Sequence, residues 1–230
     1  MAKVGAVVPA AGQGTRMGGA VRKQYLELEG IPVLGHVVKT LADNPMVDYL
    51  VLVCSPGEEA YCGSIITERL GIQKEIKIVA GGNERQESVL NGLLALSGNT
   101  DFAVIHDGAR PLLKSEELDL VLDAALKYGA ATLAAPVKDT VKMADESGLV
   151  IRTLPRESLW LTQTPQVFRY DLIMEAHRQA ALAGFKGTDD ASLVEAMGEP
   201  VYIVTGSYTN IKITTREDLL LAAALMGKPI

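Results

Sequence analysis

Cysteine is scarce in this chain: Cys54 and Cys62 are the only 2 in 230 residues. They form no CxxC pair, so nothing suggests a disulfide framework, and the usage fits a reducing compartment. Histidine is nearly as rare, at 3 residues, and none stands at metal-ligand spacing from another. No apolar run approaches ~18 residues, which argues against a membrane-spanning helix. Positive charge is in deficit, with 22 Lys and Arg against 28 Asp and Glu, a net charge of −6. That balance disfavours a general nucleic-acid or membrane-surface binder, so neither partner is expected. An anion could bind only where cations gather locally. Internal repeats, low-complexity tracts and flexible linkers are also lacking. The apolar start MAKVGAVVPAAG is too short for a signal peptide and reads as a first strand, with the cytoplasm as default location.

What is present is a chain rich enough in apolar residues, at 48%, to bury one sizeable core, so 1–230 is read as a single domain. Short, nearly continuous apolar runs recur at Val4–Val8, Tyr49–Val53, Ile76–Val79, Phe102–Ile105 and Ala131–Ala135. Such runs fit strands buried on both faces of a parallel sheet. Helical patterns lie between them at Pro32–Leu41, Glu58–Leu70, Glu84–Leu96 and Ser115–Tyr128. The last has Ser115 as its expected cap and Glu116 and Glu117 in its first turn. This alternation predicts the α/β class: a wound, mostly parallel sheet flanked by helices, Rossmann-like, with ligands at the carboxyl ends of the strands. After Pro136 the rhythm changes. Residues 137–156 alternate apolar and polar, turn through Asp145–Gly148 and resume at Leu149–Leu154, which predicts an inserted β-hairpin. A lone hairpin is marginally stable in water, so this arm is expected to pack on a second subunit. Further helices are expected at Arg169–Leu182, Asp190–Met197 and Arg216–Met226, with a strand at Val201–Val204.

The first strand runs into VVPAAGQGTRMGG, which gathers Gly12, Gly14, Gly18 and Gly19 with Arg16, and Arg22 and Lys23 follow. The dinucleotide fingerprint GxGxxG requires glycine or alanine where Met17 stands. The phosphate loop of NTPases requires Gly-Lys followed by a hydroxyl residue, which is absent here. What remains is a loop of exposed N–H groups able to cradle phosphate oxygens, with Arg16 and Lys23 as counter-charges. An ordinary strand-exit turn needs fewer glycines and no such cations.

The stretch PAAGQGTRMG, followed by RKQYLELEGIPVL, resembles the signature of sugar-phosphate nucleotidyltransferases. Within them the chain is similar to the 2-C-methyl-D-erythritol 4-phosphate cytidylyltransferase family. GGNERQESV (81–89), HDGARP (106–111), LAAPVKDT (133–140), LTQTPQ (161–166), TDDAS (188–192) and NIKITT (210–215) resemble that family in its order. The resemblance therefore covers nearly the whole chain. It implies attack by a sugar-phosphate oxygen on the α-phosphorus of CTP, with release of pyrophosphate and Mg²⁺ on the triphosphate. Catalysis of this kind is mainly positioning and electrostatic stabilisation.

By the same resemblance Arg16 and Lys23 are the catalytic cations, and the backbone at Ala10, Ala11, Gly12 and Gly14 holds phosphate. Gly81, Gly82 and Asn83 would face the pyrimidine, with Ser88 reaching a base or ribose oxygen; Asn83 stands where many relatives carry aspartate. Asp107, at a strand's carboxyl end, would bind the nucleotide or the metal, and His106 beside it reads as structural or orienting. Arg110, Thr188 and Lys212 would contact the sugar phosphate. Thr140 and Arg156, on or beside the hairpin, would complete the site of the other subunit in a homodimer.

Ribitol 5-phosphate is the alternative acceptor, although relatives that use it tend to carry glycine in place of Ala11. A nicotinamide oxidoreductase would need a carboxylate ending the second strand, where Val53–Cys54–Ser55 stands. A non-enzymatic nucleotide-binding module would need no Arg16–Lys23 pair. A fusion with the later cyclase step finds no room in these 230 residues.

Overall fold

The computed structural model describes residues 2–12, 22–96 and 98–227. In chain order, β1 (Val4–Pro9) is followed by a small hairpin of β2 (Glu27–Leu28) and β3 (Ile31–Pro32), which leads into α1 (Val33–Asp43). Then come β4 (Tyr49–Cys54), α2 (Glu59–Gly63), β5 (Ile76–Ala80), α3 (Arg85–Ala95), β6 (Phe102–Ile105) and α4 (Ser115–Tyr128). The second half holds β7 (Ala130–Pro136), β8 (Lys142–Ala144), β9 (Val150–Thr153), β10 (Trp160–Arg169), α5 (Tyr170–Ala183), α6 (Asp190–Ala196), β11 (Tyr202–Thr205) and α7 (Arg216–Met226).

The central sheet has 7 strands in the order β11-β7-β10-β6-β1-β4-β5. Only β10 runs against its neighbours, pairing antiparallel with both β6 and β7. The chain moves outward from β1 through β4 to β5, then returns to lay β6 on the other side of β1. That reversal opens a crevice at the carboxyl ends of β1 and β6, where ligands bind in open α/β sheets.

Alternation along the strands builds a core on each face. Ala6 and Val8 of β1 pack with Leu34, Val37 and Leu41 of α1 and with Leu118, Val121, Leu122 and Ala125 of α4. Val7 points the other way, toward Val89 and Leu93 of α3 and Ile173 and Ala176 of α5. The spacing of Leu118, Val121, Leu122 and Ala125 makes one helical face, and Gly129, with φ 88°, ends α4 in the left-handed conformation that glycine adopts without strain. On α3, a Cβ at Gly92 would stand 2.3 Å from Val7 Cγ1 and 2.8 Å from Val53 Cγ2. Only glycine lets this helix lie so close to the sheet.

Several expectations are corrected. Ser115 does not cap α4: it is the first helical residue, and the capping contact comes from Glu117, whose carboxylate accepts the N–H of Lys114. The segment Glu58–Leu70 is helical but carries a π turn over Ser64–Glu68. Arg169 ends a strand rather than beginning a helix, and β10 itself was not foreseen. Its run of Thr162, Gln163, Thr164, Pro165 and Gln166 hides a strand, and the register with β7 shifts between Thr162 and Gln166, where Pro165 is accommodated. The hairpin formed by β8 and β9 turns at Asp145–Gly148 as expected, with the Asp145 carboxylate accepting the N–H groups of Ser147 and Leu149. Every residue of its two strands is exposed.

Candidate active site

A cleft of about 760 Å³ opens at the carboxyl ends of β1, β4, β5 and β6. Ala10, Ala11 and Gly12 continue β1 along its floor, and Lys23 stands in its wall. Buried Gln24 fixes this wall by donating to the carbonyl of Ala10 at 2.7 Å. Arg22 donates through Nη1 to Ser55 Oγ, which donates onward to the carbonyl of Ala11 at 3.0 Å. Arg22 Nε also pairs with Glu58 at 2.7 Å. Ala10 and Ala11 on one side and Arg22 and Gln24 on the other are thus tied to each other and to the exit of β4. Arg16 and Gly14 lie outside the described residues.

Opposite this floor, Gly81 and Gly82 leave β5 and Asn83 leads toward α3. A Cβ at Gly81 would meet Ala11 Cβ at 2.5 Å, so any side chain there would close the gap between the two walls. Ser88 Oγ accepts the N–H of Gly82 at 3.1 Å and donates to the carbonyl of Glu84 at 3.0 Å. The hydroxyl therefore shapes the glycine turn, with its proton already committed. Glu84 holds the N-cap position of α3, and the Asn83 N–H donates to Glu87.

Asp107, just past β6, lies where this cleft meets a second one of about 400 Å³. Arg85 Nε donates to its Oδ1 at 3.1 Å, Lys212 Nζ to its Oδ2 at 2.7 Å, and Arg110 Nε lies 3.8 Å away. Burial alone would raise the pKa of this carboxyl, but the charges of Arg85, Lys212 and Arg110 outweigh it and hold Asp107 well below the usual carboxylate range. Behind it, the Asp107 N–H donates to Thr164 Oγ1, which donates in turn to His106 Nδ1 at 3.0 Å. His106 Nε2–H then donates to the carbonyl of Arg110 at 3.1 Å. That order of donors makes His106 the Nε2–H tautomer, and burial pushes its pKa down to about 4.

The second cleft brings together Arg110 and Thr188 with Arg85, Asp107 and Lys212. Arg110 Nη1 donates to the carbonyl of Asn210, while its buried Nε–H has no hydrogen-bond partner among the described residues. Thr188 precedes Asp189, which caps α6 by accepting the N–H of Ser192 at 3.0 Å. Thr140 and Arg156 line neither cleft. Both are exposed, and Arg156 Nη1 donates to the carbonyl of Lys138 at 3.0 Å.

Sequence reasoning missed Arg85. Its guanidinium bridges Asp107 and Asp190, at 3.1 Å and 2.7 Å. One signal was available: Arg85 is the first residue of α3, where the helix dipole disfavours a cation. Among the described residues, no group of 3 or more His, Cys, Asp or Glu side chains could cage a metal ion. Nor is any helix among them long and apolar enough to cross a membrane.

The family model described as 2-C-methyl-D-erythritol 4-phosphate cytidylyltransferase matches residues 4–228. A protein of that name from Pelotomaculum thermopropionicum is 59% identical over 226 residues, covering 98% of this chain and 95% of its own. Another, from Desulforamulus reducens, is 50% identical over 228 residues, covering 99% and 97%. Among solved structures, the 4-diphosphocytidyl-2C-methyl-D-erythritol synthase of Anaerococcus prevotii superposes with a TM-score of 0.88 at 32% identity, covering 99% of each chain. The chain belongs to the 2-C-methyl-D-erythritol 4-phosphate cytidylyltransferase family.

Proposed function

We propose that this chain transfers the cytidylyl group of CTP to 2-C-methyl-D-erythritol 4-phosphate, giving 4-diphosphocytidyl-2-C-methylerythritol and pyrophosphate. The observation that carries the reading is the family match over residues 4–228, joined to a cleft at the sheet's switch point with a second cleft beside it. An oxygen of the acceptor phosphate attacks the α-phosphorus, a new P–O bond forms, and the bond to the β-phosphate breaks as pyrophosphate leaves. No protein nucleophile is needed. The protein holds two anions in line and offsets the charge that grows between them.

The backbone of Ala10–Gly12 and Lys23 would receive the triphosphate, with Arg16 completing the cationic side. Gly81, Gly82, Asn83 and the Ser88-shaped turn would take the cytosine and ribose. Arg110, Thr188 and Lys212, which line the second cleft, would take the acceptor phosphate, with the charges of Arg110 and Lys212 balancing its own. Mg²⁺ would arrive with the nucleotide and neutralise part of its charge. Asp107 fits as its one protein contact: each of its oxygens keeps acceptor capacity beyond the bonds to Arg85 and Lys212, and Mg²⁺ takes few protein ligands.

A homodimer belongs to the same reading. Leu149, Val150 and Ile151 of the hairpin are 70%, 53% and 56% exposed, apolar surface that a partner subunit would cover. Thr140 and Arg156 would then serve the partner's acceptor cleft. Cytoplasmic location is supported by Cys54 and Cys62, both free and buried. The relatives named above carry methylerythritol in their names and none carries ribitol, so the ribitol phosphate alternative has no support here. A coupled assay for pyrophosphate with CTP, Mg²⁺ and methylerythritol phosphate tests the reaction. Release that requires all three is expected; release with CTP and Mg²⁺ alone would mean hydrolysis instead of transfer.

A further inference from the structure

The two clefts share a wall made of Arg85, Asp107 and Lys212. Asp190 stands behind that wall with its side chain 1% exposed, and its position is fixed from two directions. Its own N–H and that of Ala191 donate to Gln166 Oε1, both at 3.0 Å. Gln166 Nε2 in turn donates to Thr132 at 3.0 Å and to Asp189 at 2.7 Å. A buried carboxylate needs a counter-charge. His177 Nε2 lies 3.9 Å from Asp190, but burial and the Arg85 charge push its pKa down to about 4, so near neutral pH it is uncharged. Arg85 supplies the charge through Nη2, at 2.7 Å, and turns Nε toward Asp107.

We propose that Arg85 is a positioning residue for the transfer: anchored on Asp190, its planar fork fixes Asp107 between the nucleotide and acceptor clefts. The inference rests on the cytidylyltransferase reading. Asp107 is drawn on its other side by Lys212 and Arg110. Without the Arg85 bond to Oδ1, the carboxylate is held only from the side of Lys212 and Arg110 and can rotate out of its place between the clefts. A lysine at position 85 keeps the charge but is a point donor, unable to span both carboxylates in a fixed plane. An asparagine at 190 keeps the shape of the anchor and removes its charge.

The test is steady-state kinetics on wild type, R85K, D190N and the double variant, with CTP, Mg²⁺ and methylerythritol phosphate. Both single variants are expected to lose about tenfold or more in kcat while the KM for CTP stays within about threefold, because misplacing a reacting group by ~1 Å is felt in the chemical step. Since both act through one contact, the double variant should be no slower than R85K. A merely structural role would lower the unfolding midpoint and leave turnover per folded molecule unchanged. R85K at wild-type kcat, or single losses that multiply in the double variant, would overturn the assignment while leaving the reaction intact. Should R85K fail to fold, D190N decides alone by the same split between kcat and KM. A wild-type enzyme silent in this assay would remove the cytidylyltransferase reading, and the role of Arg85 with it.

Discussion

Lowering the pH from about 7 to about 5 is expected to destabilise this protein through two buried histidines. His106 and His177 are 0% and 2% exposed, and burial takes each from the usual 6.5 to about 4 in the folded chain. Their folded values are depressed, so the unfolded chain binds more protons throughout the window between about 4 and 6.5. The stability they preserve is fully present above the unfolded value and is lost as pH falls toward the folded one. At about 1.4 kcal/mol per pH unit, the fall from 6.5 to about 5 costs roughly 2 kcal/mol for each histidine, or about 4 kcal/mol together. Asp190 works the other way: burial raises its folded pKa, so proton uptake there opposes part of the loss. Asp107 is held low and titrates below this window. Urea unfolding followed by circular dichroism at fixed protein concentration, at about pH 7, 6 and 5, measures the slope. His177→Gln should remove about half of it. A free energy constant within about 1 kcal/mol over this range, or a His177→Gln variant with the full wild-type slope, would refute the reasoning.

Arg16→Ala and Lys23→Ala should each cut kcat by about 10²–10³, the usual cost of removing a group that stabilises developing charge, with an unchanged unfolding midpoint; retained turnover would strike that residue from the catalytic pair. Gly92→Ala must push a methyl against Val7 and Val53 and should cost about 1–3 kcal/mol in urea unfolding, with turnover per folded molecule preserved. Gly81→Ala should act at the site instead, raising the KM for CTP about tenfold or more, equivalent to roughly 1.4 kcal/mol of binding, because its methyl would stand 2.5 Å from Ala11 Cβ. The hydrogen bond between the two thiols pushes Cys54 up and Cys62 down, but both side chains are fully buried, so Ellman's reagent should find no accessible thiol in the native protein and 2 per chain after unfolding.

The parallel part of the sheet was legible in the sequence because strands buried on both faces must be apolar throughout, as Tyr49–Cys54 is. β10 was not, because its buried positions include Gln163, Thr164 and Gln166. Those side chains are accommodated by partners remote in sequence: Asn210 donates to Gln163, His106 accepts from Thr164, and Gln166 reaches Thr132 and Asp189. No local periodicity encodes such a strand. The cleft residues Gly81, Asn83 and Asp107 were legible because they sit at strand exits, where an α/β sheet binds its ligands. Arg85 escaped notice because its meaning comes from Asp190, 105 residues away, and from Asp107 in the loop after β6. The hairpin was visible from its alternation, but Thr140 and Arg156 line neither cleft.

The most direct test of cytidylyl transfer to methylerythritol phosphate is ³¹P NMR of the reaction with CTP and Mg²⁺, run side by side with methylerythritol 4-phosphate and ribitol 5-phosphate. A new diphosphate diester should grow with the first acceptor in step with free pyrophosphate, and the second should give neither. A diester formed only from ribitol phosphate, or none from either acceptor, would contradict the assignment.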